Sequence, residues 1–184
     1  MPGLRYRDDF LSPREEKDLI QRINAEKLAP FRFHQWTGKR LTETFGWRYD
    51  FATGGFEPAE PLPDFLIPVR ARAAEFAGLP PAALEQALLI RYDVGAGIGW
   101  HRDRPVFEHV IGISLGAPAP MRFRQRLEKG FARVNVPLAP RSIYLLSGEA
   151  RHSWEHSIDS VSELRWSITF RTLSEKGRAK ASPA

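Results

Sequence analysis

His101 and Asp103 stand two residues apart in GWHRDRPVFEHVIGISLG, residues 99–116, and their types could begin a metal site. On an extended segment, residues i and i+2 leave from the same face, so an imidazole and a carboxylate can converge on one ion. A second imidazole would complete a two-histidine, one-carboxylate triad, which leaves three positions of an octahedral iron open for co-substrate and dioxygen. An H-x-D pair alone also occurs in ordinary polar surface. The chain has five histidines, and GEARHSWEHSI offers two of them, His152 and His156, for the distal position.

A second chemistry-bearing stretch is RWSITFR, where Arg165 and Arg171 lie six residues apart and so on one face of a strand. Two guanidiniums turned inward would be costly unless they met an anion, and a dicarboxylate is such an anion. Periodicity taken alone favours the opposite arrangement. Arg165, Ser167, Thr169 and Arg171 form a wholly polar face that solvent could cover, with Trp166, Ile168 and Phe170 in the core.

The elements that must position these groups can be read from period and punctuation. Ser12, Pro13 and Glu15 form a helix start with a capping box, and Leu19, Ile20 and Ile23 give the helix an apolar face to about Lys27. After the loop EPAEPLPD, Val69, Ala73 and Phe76 recur at helical spacing up to Gly78, a C-cap residue, and one more short turn is expected between Leu79 and Gln86. From Ala87 the period shortens: ALLIRY, VFEHVIGISLG, MRFRQR, RVNVPL, RSIYLLSG and RWSITFRTL are short runs rich in Val, Ile, Tyr, Phe and Thr between glycines and prolines. Helices first and strands afterwards predict an α+β, mainly-β domain with a double-stranded β-helix, or jelly-roll, core. Residues 31–56 interleave aromatic and basic side chains around Gly38, Gly46, Gly54 and Gly55, a composition suited to a glycine-hinged lid or hairpin. A single domain over residues 1–173 and a disordered tail over 174–184 are expected.

Composition narrows the chemistry further. The 184 residues include no cysteine, which excludes disulfides, thiolate zinc sites and cysteine nucleophiles and leaves any metal to His, Asp or Glu. The first residues, MPGLRYRDDFLSPREE, lack the apolar stretch of a signal peptide, and no run of about eighteen apolar residues occurs, so a soluble, cytoplasmic protein without membrane attachment is expected; a monomer is the expected state. A net charge of +5 and a pI near 9.8 suit a polyanionic partner such as DNA or RNA.

Four pieces, IRYDVGAGIGWHRD, VIGISLGAPAPMRFR, LLSGEARHSWEHSI and RWSITFR, jointly and in this order resemble the AlkB family of iron(II)- and 2-oxoglutarate-dependent dioxygenases. The resemblance is strong over residues 88–173 and looser before them. It implies that His101, Asp103 and His156 are the iron ligands, His156 being preferred to His152 because W-x-H-x-I resembles the family's segment. It implies further that Tyr92 hydrogen-bonds the co-substrate, that Arg165 pairs with the distal carboxylate of 2-oxoglutarate and that Arg171 is oriented toward its keto-acid end. Ser167 stands where the family has an asparagine, as does Ile90, and Pro105 replaces an acidic residue that helps read the base in DNA-repair members.

The implied reaction consumes dioxygen, decarboxylates 2-oxoglutarate to succinate and hydroxylates a substrate carbon; an N-hydroxymethyl product then loses formaldehyde. The substrate expected is an alkylated base in DNA or RNA, with Trp36, Arg40, Trp47 and Tyr49 as the residues able to stack a base and grip its phosphates. For each aromatic, the alternative is that it fills the seam between lid and barrel. Ile90, Ser167 and Pro105 also admit an oxygenase acting on a protein side chain or a small molecule, and a non-catalytic nucleic-acid-binding module is the third possibility.

Overall fold

A computed structural model describes residues 1–33, 36–50 and 53–181, leaving the side chains of 31–33, 36 and 37 outside the description. In chain order its elements are β1 (Leu4–Arg7), α1 (Pro13–Ala25), β2 (Ala29–Phe33), β3 (Trp36–Phe45), β4 (Trp47–Tyr49), β5 (Phe56–Pro58) and α2 (Ile67–Ala77). There follow β6 (Gln86–Tyr92), β7 (Ile98–His101), β8 (Phe107–Gly116), β9 (Ala119–Arg126), β10 (Phe131–Leu138), β11 (Ile143–Leu146), α3 (Gly148–His152), β12 (Glu155–Ile158), β13 (Arg165–Leu173) and α4 (Glu175–Ala181). Seven strands form one antiparallel sheet in the order β1-β11-β8-β13-β6-β3-β2, four form a second in the order β10-β9-β12-β7, and β4 pairs with β5. This mainly-β α+β arrangement is consistent with the jelly roll expected from the sequence.

The helices start and stop where local chemistry dictates. Ser12 Oγ accepts from the Glu15 amide at 3.3 Å and Glu15 Oε2 accepts from the Ser12 amide at 2.7 Å, so the capping box satisfies two otherwise orphaned donors at the start of α1. At the other end of α2, Gly78 takes φ +71° and closes the helix in the left-handed conformation that glycine adopts without penalty.

Two apolar layers flank the seven-stranded sheet. On one face Leu19 and Ile23 of α1 and Val69, Ala73 and Ala74 of α2 pack on Leu89, Ile111, Ile113, Ile168 and Phe170. On the other, Tyr92, Met121, Phe123, Leu138, Trp154 and Ile158 fill the space between the two sheets. Full burial of a residue such as Phe170 or Ile168 contributes about 1.5–3 kcal/mol. Because the large sheet is covered on both sides, β13 has no solvent face. The polar alternation of Arg165, Ser167, Thr169 and Arg171, which periodicity alone would send outward, instead faces the interior opposite the small sheet, and Trp166, Ile168 and Phe170 face the helices.

Two further expectations are corrected. Residues 31–56 do not form one separate lid: β3 continues the large sheet by pairing with β6 from Arg40↔Tyr92 to Phe45↔Ala87, and Phe45 enters the core, while β4 and β5 make a small hairpin. The tail is not disordered from 174 onward, since α4 covers Glu175–Ala181. Ser174 Oγ donates to the Pro105 carbonyl at 2.6 Å and accepts from the Gly177 amide at 3.1 Å, and Gly177 lies so close to the Val106 carbonyl that a side chain there would collide. Charged residues around a glycine hid this docking. Residues 182–184 lie outside the described residues. Among those described, no helix is long and apolar enough to cross a membrane.

Candidate active site

His101 is the last residue of β7 and lies in register with His156 of β12, with their rings 4.3 Å apart between centroids. Asp103 is not on the strand. It belongs to the loop between β7 and β8, so the convergence expected from strand pleating is produced by a strand end and a loop instead. His156 Nε2 lies 3.6 Å from Asp103 Oδ2, and one ligand atom from each of the three residues falls within 4.8 Å of the others. Among the described residues this is the one cluster of its kind.

The surroundings prepare each group to bind a cation. His101 Nδ1 lies 2.8 Å from the Gly99 carbonyl, which can only accept, so the proton sits on Nδ1 and Nε2 keeps its lone pair. Burial and then the neighbouring His101 push His156 down to about 3, so it is a neutral imidazole at neutral pH. Burial alone would raise the Asp103 carboxyl, but the Arg171 guanidinium beside it outweighs burial and holds the group below the usual carboxylate range. Arg171 places Nε at 2.9 Å and Nη2 at 2.8 Å from the same oxygen, Oδ1. That leaves Oδ2 facing His156, and Gln86 fixes the arginine from behind by accepting from Nη1 at 3.0 Å.

Deeper between the sheets is a second polar set. Arg165 is 1% exposed, yet its Nε and Nη1 have no hydrogen-bond partner, and its single described hydrogen bond runs from Nη2 to Ser114 Oγ at 3.2 Å. Its guanidinium lies 4.7 Å from the centroid of the Tyr92 ring, on the neighbouring strand. Ser167, one pleat along, is buried and in register with Ser114. Two unsatisfied donors on a buried cation are the signature of a missing anion. The donor types and the orphaned guanidinium therefore fit an iron held by His101, Asp103 and His156 with an acid such as 2-oxoglutarate anchored at Arg165.

Some contributors carried no clear sequence signal. Tyr144, on β11, has its phenol pushed up by burial and by Tyr92, and it also feels the charges of Arg165, Asp103 and Arg171. Its ring fits because Gly112 opposite it has no side chain; a Cβ there would overlap the phenol. A glycine inside the apolar run VIGISLG was the available clue to such a close approach. Arg151, on α3, is buried and donates through Nη2 to the carbonyls of Arg104 and Phe107, each at 2.7 Å, clamping the loop that carries Asp103.

A cleft of about 610 Å³ opens beside the histidine and aspartate. His101, Asp103 and Arg171 line it together with Gln86, Leu88 and Phe107, and so do Arg40, Tyr49 and Arg104. Arg40 and Tyr49 thus line the cleft, with Arg104 4.9 Å over the Tyr49 ring. Trp47 does not line the cleft; its ring stacks on Phe56 at 5.2 Å and so fills a seam. The Trp36 side chain and His34 lie outside the described residues. His152 is turned away from the cluster and pairs with Glu108 at 2.8 Å, and His109 bonds to Thr172.

Comparison with known proteins adds an independent line. The family model described as the 2OG-Fe(II) oxygenase superfamily matches residues 3–171. An Arabidopsis thaliana protein named alkylated DNA repair protein ALKBH8 homolog is 28% identical over 184 residues, covering 86% of this chain and 51% of its own length. The Mus musculus tRNA (carboxymethyluridine(34)-5-O)-methyltransferase ALKBH8 is 29% identical over 163 residues, covering 85% of this chain and 24% of its own. The chain therefore spans about half of one such relative and about a quarter of the other. Among solved structures, OsALKBH1 superposes with a TM-score of 0.72 at 15% identity over 94% of this chain and 97% of that one. A Trichoplax adhaerens prolyl hydroxylase, solved with a hypoxia inducible factor peptide, gives 0.68 at 11% identity over 98% and 88%; both likenesses concern the fold.

Proposed function

The chain belongs to the 2OG-Fe(II) oxygenase superfamily, in its AlkB-like branch, and from that premise we propose that it oxidatively demethylates alkylated bases in DNA or RNA. Iron(II) and 2-oxoglutarate are the cofactor and co-substrate that this membership and the intact His-Asp-His cluster imply. Bound together they supply the oxidant: dioxygen and 2-oxoglutarate give succinate and carbon dioxide, and one oxygen atom enters a C–H bond of the substrate. On an N-methyl group this yields N-hydroxymethyl, which breaks down to formaldehyde and the free nitrogen.

The chain's own residues do the holding and excluding. His101, Asp103 and His156 present three neutral or anionic donors from one side, and Arg171 keeps Asp103 ionised and turned by one oxygen. Arg165, Tyr92 and Ser167 are assigned to the acid, whose distal carboxylate would accept from the buried Arg165 guanidinium. Leu88 and Phe107 add apolar surface beside the cluster, which helps to exclude water from the reacting carbon.

The observation that carries the substrate assignment is the cleft over the metal cluster, large enough for a flipped base and walled by Arg40, Tyr49 and Arg104. Names of the relatives, one a DNA repair protein and one acting on tRNA, support a nucleic acid in either form. A cytoplasmic monomer is part of the same proposal. The test is incubation of purified protein with iron(II), 2-oxoglutarate and N-methylated DNA and RNA oligonucleotides. Formaldehyde released in step with succinate, with loss of the methyl group by mass spectrometry, supports the reading. Unchanged oligonucleotides with turnover of a protein or small-molecule substrate would replace it by the second reading, which Pro105 in place of an acidic base-reading residue favours.

A further inference from the structure

The outer face of the four-stranded sheet carries an arrangement that the active site does not use. The face that turns away from His101 and His156 presents Trp100 of β7, Arg122, Arg124 and Arg126 of β9, and Phe131 and Arg133 of β10. The register sets them side by side: Arg126 opposite Phe131 and Arg133 opposite Arg124. The arginines lie over the rings. Arg122 and Arg124 are 5.2 and 4.4 Å from the Trp100 centroid, and Arg124, Arg126 and Arg133 are 4.8, 5.2 and 5.7 Å from that of Phe131. Two carboxylates neutralise part of the charge, Glu155 on Arg124 at 2.7 Å and Asp159 on Arg122 at 2.6 Å. Arg126 and Arg133 are exposed and have no carboxylate partner among the described residues.

This face is continuous with the active site. Arg102 lines both the catalytic cleft and a groove of about 430 Å³ on the outer face, whose other walls include Arg124, Arg126 and Phe131. Trp100 likewise borders the cleft while its ring receives the arginines, and β7, the edge strand of this sheet, lines the cleft from Ile98 to His101. Three interstrand spacings make the face about 14 Å wide.

We propose that this groove is a track for a single nucleic-acid strand, gripping the phosphates that flank the base held in the cleft. The inference rests on the nucleic-acid reading of the active site. Guanidiniums held over ring faces are partly ordered before binding, so they lose little freedom when their planar N–H groups meet a phosphate. Trp100 and Phe131 add ring faces on which unpaired bases stack without regard to sequence. An acidic peptide would match the charge but not this interleaving of planar cations and ring faces.

The test uses fluorescence anisotropy of the full chain with labelled twelve-nucleotide oligo(U) and oligo(dT), each measured from 50 to 200 mM salt. The probes distinguish an RNA from a DNA strand. Arg126→Gln/Arg133→Gln is compared with the parent, and circular dichroism and iron binding report that the variant is folded. Loss of two phosphate contacts is expected to weaken binding about tenfold or more and to lower the slope of log K against log salt by about 1.4. Parent-like affinity and slope in the variant overturn the track while leaving the base-oxidation reading standing. Parent protein that binds neither strand, yet forms succinate with another substrate, overturns both. Equal or tighter binding of a labelled poly-glutamate peptide overturns the assignment to nucleic acid.

Discussion

Replacing Arg165 with Met is expected to stabilise the ligand-free protein while abolishing its affinity for 2-oxoglutarate. In the parent, Nε and Nη1 are buried without partners, and each unsatisfied donor costs about 1–3 kcal/mol. Against this stand one hydrogen bond to Ser114, about 1 kcal/mol, and the contact with the Tyr92 ring, about 2 kcal/mol when desolvated. Methionine matches the length and apolar stem, so about 4 kcal/mol recovered from the two donors against about 3 lost leaves a net gain for the empty protein of about 1 kcal/mol. For a chain of this size that raises Tm by about 2–4 °C. Binding changes in the opposite sense, because removing one partner of a buried ion pair costs about 3–5 kcal/mol, more than a hundredfold in Kd. Thermal unfolding followed by circular dichroism, with manganese(II) present and with or without 2-oxoglutarate, measures both. At a hundred times its Kd the acid stabilises the parent by about 2.7 kcal/mol, and the variant should show no such shift. A variant that melts below the parent when empty and still gains from 2-oxoglutarate would refute the assignment of Arg165 as the carboxylate anchor.

Other perturbations follow from the same contacts. Gly112→Ala drives a methyl group into the Tyr144 phenol, so a loss of about 1–3 kcal/mol is expected in denaturant unfolding, and Gly112→Ala/Tyr144→Ala should lose less than the sum of the two single variants; an unaffected single variant contradicts the close approach. Arg171→Met leaves the Asp103 carboxylate without its guanidinium, and calorimetric titration should find iron(II) affinity reduced about 10–100-fold, whereas unchanged affinity would show that the pair does not support the metal ligand. Hydrogen bonds from the Ser12 backbone and side chain lower the Glu15 carboxyl below its ordinary value, so its contribution to stability is present above the usual carboxylate range and is lost as pH falls through the depressed value. Glu15→Gln should therefore cost less than about 1 kcal/mol at neutral pH, since the side chain is partly exposed, and the gap to the parent should close in acid. A gap that widens in acid would contradict this.

Much of the metal site was legible in the sequence because its chemistry is written in residue types. His101, Asp103 and His156 come together as the resemblance implied, and His152, the rival, is occupied by Glu108. The helix starts were legible for the same reason: capping is a local transaction, and Ser12, Pro13 and Glu15 carry all of it. What periodicity could not reveal was which face of β13 meets water, because alternation defines two faces and only the second sheet decides that the arginine face is interior. Tyr144 and Arg151 act through neighbours distant in sequence, Gly112 and the 104–107 carbonyls, and no spacing rule connects them. The tail escaped notice because its docking depends on Gly177 and Ser174 meeting Pro105 and Val106, contacts that composition hides behind a run of charges. Trp47 was one aromatic among several, and only packing on Phe56 separates it from Tyr49 in the cleft wall.

Anaerobic titration of the protein with iron(II) in the presence of 2-oxoglutarate, followed by the visible absorption of their chelate, tests the metal centre most directly. Saturation at one equivalent per chain is expected for the parent and for His152→Ala, with the band lost in His101→Ala, Asp103→Ala and His156→Ala. A parent without the band, or a band that survives His156→Ala and vanishes in His152→Ala, would contradict the centre described here.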